Sequence, residues 1–394
     1  MGPRGVAGLD EEGSGLTDTP SRRLAAELRQ RARDEGFDGI GVARASRLDR
    51  DGEALRAWLA EDRHAAMAWL AREPDKRADP RLLLPGCRSV VALTMNYFPG
   101  DEAAAVPHGR SRVALYARGR DYHKVIGKKL KRLAKWLEET SGAEVRPFVD
   151  TGPVLERAWA ERAGLGWIGK NSCLLTRGSG SWLLLAEMLT TAELEPDPGP
   201  HADFCGTCTA CIEACPTQAI VAPASVDSSR CIAYWTIEHR GPIPDGMRPG
   251  IDDWIFGCDL CQDVCPWNHK SSSPVSPDRF ELREDLRGLD PLEVLAMDES
   301  TFRARYSGTS LMRARWDGMR RNACVVLGNR RDATALPWLR RALTDADPVV
   351  RSHAEWAVRE IDGARAEPNS RETVSQEGPD SLSENNAENT DDPG

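Results

Sequence analysis

Apolar positions in the first half of the chain alternate between a helical rhythm and short continuous runs. Leu24, Ala25, Leu28 and Ala32 recur at helical spacing behind Thr19-Pro20, a capping residue followed by one suited to the first turn. Gly36 closes that segment, and Ile40-Gly-Val-Ala43 reads as a short buried strand. Ser89-Val-Val-Ala-Leu-Thr94, residues Val145 to Val149 and Trp182-Leu-Leu-Leu-Ala186 are further strand candidates with helical patterns between them. After His123, Ile126, Leu130, Leu133 and Leu137 share one helix face, while Lys124, Lys128, Lys131 and Lys135 share the other. Such a stripe is commonly the wet side of an amphipathic helix. The alternation predicts an α/β domain over residues 20–200.

From residue 285 to 362 the pattern is wholly helical. Asn322-Ala-Cys-Val-Val-Leu-Gly-Asn329, Ala335-Leu-Pro-Trp-Leu339 and the run from Pro348 to Val358 resemble a HEAT-type repeat of stacked helix pairs. Residues 1–19, Gly-rich and polar, and 366–394, almost without apolar positions, are expected to be disordered. Charge divides the chain in the same way. The whole carries a net −9, residues 366–394 hold eight acids and one base, and residues 301–360 hold twelve arginines against six acids. A basic helical module in an acidic chain is a footprint for nucleic acid, although a solvated repeat surface has the same composition. No run of 18 uncharged apolar residues marks a membrane span, and the N-terminus offers no basic region followed by an apolar one. A cytoplasmic protein is expected.

Eleven cysteines change the picture. Cys205-Gly-Thr-Cys208-Thr-Ala-Cys211-Ile-Glu-Ala-Cys215-Pro216 is the run that wraps [4Fe–4S] clusters in bacterial ferredoxins. Cys258-Asp-Leu-Cys261-Gln-Asp-Val-Cys265-Pro266 repeats it without the first cysteine, and Cys231 lies between the two. In two-cluster ferredoxins the fourth cysteine crosses to the other cluster. Applied here, Cys205, Cys208, Cys211 and Cys265 hold one cluster, and Cys215, Cys231, Cys258 and Cys261 hold the second. Structural zinc, with two C-x₂₋₄-C pairs, gives no reason for the extra cysteines or for Pro216 and Pro266. Disulfides belong to oxidising compartments. Cys87, Cys173 and Cys324 sit in apolar contexts and are expected to be inert core thiols. The cluster module spans residues 201–270, and single-electron transfer follows.

The α/β domain has neither a dinucleotide fingerprint after a strand nor a P-loop, and Gly39-Ile-Gly41 is better read as a tight strand. Two polar clusters stand out, Tyr116-Ala-Arg118-Gly-Arg120-Asp121-Tyr122-His123 and a stretch from Phe148 through Asp150-Thr-Gly-Pro153 to Asn171-Ser172. Asp150 ends a predicted strand, where open α/β sheets place their ligands. There it is either a helix N-cap or a catalytic acid. Asp62-Arg-His64-Ala-Ala-Met67 lacks the glycine of a cobalamin-ligating signature and lies in a helical pattern, so His64 is read as structural.

The order of these motifs, with Gly166-Trp-Ile-Gly-Lys-Asn171-Ser172 and Cys265-Pro-Trp-Asn268, resembles the epoxyqueuosine reductase (QueG) family over residues 20–362. The resemblance implies an oxidoreductase performing the last step of queuosine synthesis, reducing the epoxide on the wobble base of GUN-anticodon tRNAs. It also implies a nitroreductase-like cobalamin domain, of the kind found in corrinoid reductive dehalogenases, joined to a ferredoxin-like module with two [4Fe–4S] clusters and a HEAT-like segment. The cofactors implied are those clusters and base-off cob(II)alamin with no protein imidazole on cobalt. By the same resemblance Asp150 is the proton donor, and Arg72, Asp150, Asn171, Ser172 and Leu174 contact cobalamin. The basic repeat, with Arg340, Arg341 and Arg351, would grip the anticodon arm through phosphates while the wobble base is splayed out. Reduced ferredoxin or flavodoxin is the expected donor, and a monomer the expected state.

The chemistry is coherent with that assignment. Corrinoid reduction needs strongly reducing single electrons, which low-potential clusters supply. Epoxide opening develops negative charge on oxygen, which a protonated carboxyl quenches. Desolvation beneath an apolar macrocycle should raise the pKa of that carboxyl. Two other classes compete: a corrinoid iron–sulfur reductase of a small molecule, such as a dehalogenase, and a non-catalytic electron carrier. The absent twin-arginine signal and the basic repeat disfavour the first, and the large α/β domain disfavours the second.

Overall fold

The computed structural model describes residues 19–366. The terminal segments expected to be disordered therefore lie, apart from Thr19 and Ala366, outside the described residues. In chain order the first domain contains α1 (Pro20–Asp34), β1 (Gly39–Arg44), α2 (Asp49–Ala60), β2 (Ser89–Asn96), α3 (Tyr122–Ser141), β3 (Val145–Phe148), α4 (Glu156–Arg162) and β4 (Leu183–Thr190). The start of α1 follows its capping pattern, with the Thr19 hydroxyl accepting from the Arg22 N–H and Ala25, Leu28 and Ala32 buried.

The four strands form one sheet in the order β1-β2-β4-β3. Every neighbouring pair is antiparallel. The rule that ligands lie beyond the carboxyl ends of strands belongs to open parallel sheets, so it does not locate a site here. Side chains alternate between the two faces. Val91, Leu93 and Met95 of β2 and Ala186 and Met188 of β4 pack with Leu28 of α1 and Ile126 and Leu130 of α3. Val90, Ala92 and Leu189 face the other way, toward Ala158 and Trp159 of α4. Glu187, on the central strand β4, falls on this second face and is 0% exposed.

Each cysteine run is built around one short helix, Ala210–Glu213 with Cys211 and Leu260–Asp263 with Cys261, its other cysteines lying in the flanking loops. The chain ends in a helical segment with α5 (Arg315–Arg330), α6 (Leu336–Ala342) and α7 (Pro348–Ala366). Ile232, Trp235, Ile255 and Phe256 of the cysteine-bearing segment share a single core with Phe302, Met319, Val325 and Ala354 of the helices. Arg321, 2% exposed, crosses this boundary and donates to the carbonyls of Trp235 at 2.6 Å, His239 at 2.8 Å and Gly241 at 3.0 Å. Asn322 donates to the Thr236 and Ile255 carbonyls. Part of the arginine excess is therefore structural: Arg320 pairs with Asp345, Arg330 with Asp253 and Arg313 with Glu238.

Candidate active site

Cys205, Cys208, Cys211 and Cys265 line one cavity of about 220 Å³ together with Lys170 and Trp267. Cys208 is exposed. Pro266 occupies the first turn of the helix Pro266–Ser271, so the chain turns into a helix directly after Cys265. Cys215, Cys231, Cys258 and Cys261 form a second neighbourhood. Burial pushes up the thiols of Cys231, Cys258 and Cys261, and mutual repulsion adds to it: Cys231 feels Cys215, Cys258 feels Cys231 and Cys215, and Cys261 feels Cys258 and Cys231. Among the described residues no three of His, Cys, Asp or Glu close on a single metal ion. Thiols spaced around a cavity suit a multi-iron cubane better than one tetrahedral ion.

A second cavity, of about 240 Å³, opens to solvent and is lined by Tyr97, Tyr116, Tyr122, Cys173, Leu174 and Gln262 among others. Cys173 is thus a wall residue rather than the core thiol expected; burial pushes it up to about 11. Its sulfur also lies in the field of Cys261, so this cavity abuts the second set of cysteines. Cys87 and Cys324 are buried, as expected of core thiols, with burial raising them to about 11 and about 12.

The turn leading to Leu174 ties cavity and cysteines together. Asn171, buried, accepts from the Cys173 N–H at 3.1 Å and donates to the Cys261 carbonyl at 3.2 Å. Ser172 has a left-handed backbone (φ 65°), its carbonyl accepts from Arg157, and its buried hydroxyl has no partner. An aromatic and aliphatic wall with one buried, unpartnered hydroxyl beside it fits the inner face of an apolar macrocycle. Arg72 stands exposed after the short turn Ala68–Ala71 and lines neither cavity. His64 packs against Trp58 and likewise lines neither. Arg118 is consumed structurally, donating to the Val113 and Ala104 carbonyls.

Asp150 leaves β3 in a loop with φ 56°. It caps no helix: α4 has Leu155 at its capping position and no side-chain cap. The aspartate that does cap is Asp121, which accepts from the His123 N–H at the start of α3. Asp121 also sits 2.7 Å from His123 Nδ1, and Asp150 sits 3.1 Å from His123 Nε2. Burial pushes the imidazole down, but hydrogen bonds and charge from the two aspartates win and lift it to about 9. For Asp150, burial pushes up, while His123 and the Tyr122 hydroxyl pull down and prevail. The carboxyl is therefore held below the usual range, opposite to the desolvation expectation, because an imidazolium stands beside a side chain that is still 58% exposed. The proton rests on His123, one hydrogen bond from Asp150, and Tyr122 belongs to both the cavity wall and this pair.

Asp121 and Glu156 belong to the two polar clusters of the sequence, with no role assigned to them there, and Glu187 lies outside both. The first had a signal, an aspartate opening an amphipathic helix, and the last interrupts the apolar run of β4. On the helical module Arg340 and Arg341 lie exposed on α6, with Trp338 41% exposed beside them. Arg351 is engaged otherwise, donating to the Asp345 and Ala346 carbonyls.

Residues 77–151 match the family described as Epoxyqueuosine reductase QueG, DUF1730; residues 204–268 match the 4Fe-4S double cluster binding domain, and 310–370 match HEAT repeats. A curated epoxyqueuosine reductase of Gloeobacter violaceus is 43% identical, over 79% of this chain and 98% of its own length. That of Pseudomonas aeruginosa is 39% identical, over 87% and 96%. Among solved structures, an epoxyqueuosine reductase with an epoxyqueuosine-modified tRNA-Tyr stem loop superposes with a TM-score of 0.81 at 32% identity, covering 89% of this chain and 96% of that one. The Bacillus subtilis enzyme, with its catalytic aspartate loop swung out of the active site, gives 0.80 at 32% identity, covering 89% and 95%.

Proposed function

The chain belongs to the epoxyqueuosine reductase family, and we infer that it reduces epoxyqueuosine at the tRNA wobble position to queuosine, the last step of that synthesis. The observation that supports the site-level reading is the contact of the Asp150–His123 pair with Tyr122, which lines a cavity together with Cys173, itself near Cys261.

In this reading Cys205, Cys208, Cys211 and Cys265 hold one [4Fe–4S] cluster, and Cys215, Cys231, Cys258 and Cys261 the other. Leu174 of the tyrosine-lined cavity, Asn171 and Ser172 in the turn leading to it, Asp150 beside Tyr122, and Arg72 would hold cobalamin. Cobalamin, when bound, supplies a strongly reducing nucleophilic centre, and the clusters supply electrons one at a time. The chain's own residues manage water and the proton. Tyr97, Tyr116 and Tyr122 offer the cavity an aromatic wall. His123 holds a proton on Nε2 against Asp150, and passing it along that bond makes Asp150 the acid that neutralises the oxygen of the opening epoxide.

Arg340 and Arg341 take phosphates of the anticodon arm, while Arg351 shapes the loop beneath them. The exposed Cys208, which lines the first cavity with Lys170 and Lys270, is where a reduced ferredoxin or flavodoxin would deliver electrons. The test is an anaerobic assay of reconstituted protein, with and without cobalamin, on tRNA bearing the epoxide and on halogenated small molecules. Reduction of the tRNA only when cobalamin is present is the expected result. Halide release with no change in the tRNA would replace this reading with a small-molecule reductase.

A further inference from the structure

The antiparallel sheet buries one acid that the proposed reaction leaves unused. Glu187 is 0% exposed on the central strand β4, and neither of its carboxyl oxygens has a hydrogen-bond donor among the described residues. The group that meets it is the carboxyl of Glu156, at the first turn of α4. Two buried carboxyls in contact, with no donor on the deeper one, cannot both be ionised. One of them keeps a proton, and a protonated Glu187 supplies the donor that the site otherwise lacks.

The outer end of this pair reaches the candidate acid. Glu156 Oε1 accepts from the backbone N–H of Asp150 at 2.6 Å. Asp150 is left-handed, a conformation that a residue other than glycine keeps only when its surroundings hold it. The contacts that hold it are His123 and the Tyr122 hydroxyl on the carboxylate and Glu156 on the backbone. A line of three residues thus runs from the interior of the sheet to the backbone of Asp150.

We propose that Glu156 and Glu187 share one proton and anchor the Asp150 loop, as positioning residues through which pH governs how firmly Asp150 is held at the cavity. The proposal rests on the reading of Asp150 as proton donor. The charged groups facing Glu156 are Glu187 from the sheet, Asp150 from the loop and Arg157 from its own helix; those facing Glu187 are Glu156 and Asp150. Burial, with the charge of Asp150 adding to it, lifts Glu156 to about 7, and burial together with Glu156 lifts Glu187 well above the ordinary carboxylate range. Below that value both acids are neutral. Above it Glu156 is ionised while Glu187 stays protonated, and the bond from the Asp150 N–H becomes charge-assisted. The anchor tightens as pH rises through about 7.

Two readouts test this. In full-length, cobalamin-free protein above neutral pH, infrared spectroscopy should show a buried protonated carboxyl that disappears in Glu187→Gln, a substitution that keeps size and a donor. In the reconstituted, pre-reduced enzyme, single-turnover rates on epoxide-bearing tRNA should rise through about pH 7. Glu187→Leu should move that limb to higher pH by removing the donor to Glu156. Glu156→Gln should abolish the limb and lower the rate by about 10–10²-fold, the scale of a misplaced catalytic group. Absence of the protonated carboxyl, its persistence in Glu187→Gln, or a limb unmoved in Glu187→Leu would overturn the proposal. Near-parent turnover by Asp150→Asn would instead overturn Asp150 as donor, and its positioning with it, while the infrared arm reads the shared proton independently of turnover.

Discussion

His123 Nε2 stands 3.1 Å from Asp150 Oδ2, and both touch Tyr122, which lines the tyrosine-walled cavity. Asp121 holds the opposite ring nitrogen at 2.7 Å, so the imidazole is fixed between two carboxylates and cannot turn its proton away. In the proposed reaction acid and proton store are thus separate residues, and substitutions distinguish them.

Asp150→Asn should fold, retain both clusters and bind tRNA, because the amide is nearly isosteric and the residue caps no helix. Turnover should fall by about 10²–10⁴-fold, the range for loss of a general acid. The loss should appear in kcat rather than in tRNA affinity. Single-turnover assays on pre-reduced enzyme check this, and retention of more than about a tenth of the parent rate returns the acid role to Tyr122 or His123.

His123→Gln should remove a pH dependence of stability as well as activity. The folded-state pKa of His123, about 9, lies above the ordinary imidazole value of 6.5. Its stabilisation is therefore complete below 6.5 and is lost as pH rises through about 9. The ring is about one-third exposed, so solvent screening limits the gain to about 1 kcal/mol. Thermal melts of parent and variant across this window should converge at high pH; a constant gap would mean that His123 is not the titrating group.

Cys231→Ala should take the iron content from about eight atoms per chain to about four, the content of one cubane. Electron paramagnetic resonance should then show a single cluster. Two intact cubane signals would remove Cys231 from the ligand set and bring Cys173 forward, since it lies beside Cys261.

Arg341→Ala and Arg351→Ala should separate RNA contact from architecture. Arg341 is exposed, with no side-chain partner among the described residues, and its loss should weaken tRNA binding and lower the salt slope by about 1. Arg351 holds two loop carbonyls, and its loss should cost about 1–3 kcal/mol of stability before it affects binding. Binding isotherms over a salt series and denaturant melts report the two effects. An unchanged salt slope in Arg341→Ala would make it part of a solvated surface.

The parts of the molecule most legible in the chain were those where chemistry dictates spacing or packing dictates periodicity. The intervals from Cys205 to Cys215 and from Cys258 to Cys265 follow from wrapping a cubane. The buried stripe of α3, from Ile126 to Leu137, follows from a period of 3.6. Strand direction was hidden, because the apolar run of β2 is buried at every position and reads like a strand of a parallel sheet. The candidate site was hidden for a different reason. Asp121, His123, Asp150 and Glu156 meet through a loop in a left-handed conformation, and nothing periodic encodes such a turn. Asp150 looked like a cap because caps and acids share residue types and strand-end positions; only the start of α4 at Glu156 separates them.

The core that joins Trp235 and Phe256 to Met319 and Val325 bears on modularity. A HEAT repeat ordinarily lends itself to grafting, since each unit touches only its neighbours. Here the C-terminal helices cannot be lifted away as a portable cassette. Excising them would bare Ile232, Ile255 and Phe256 and leave the buried guanidinium of Arg321 without its carbonyls. The cysteine-bearing segment and the C-terminal helices are therefore constrained to evolve as one heritable block.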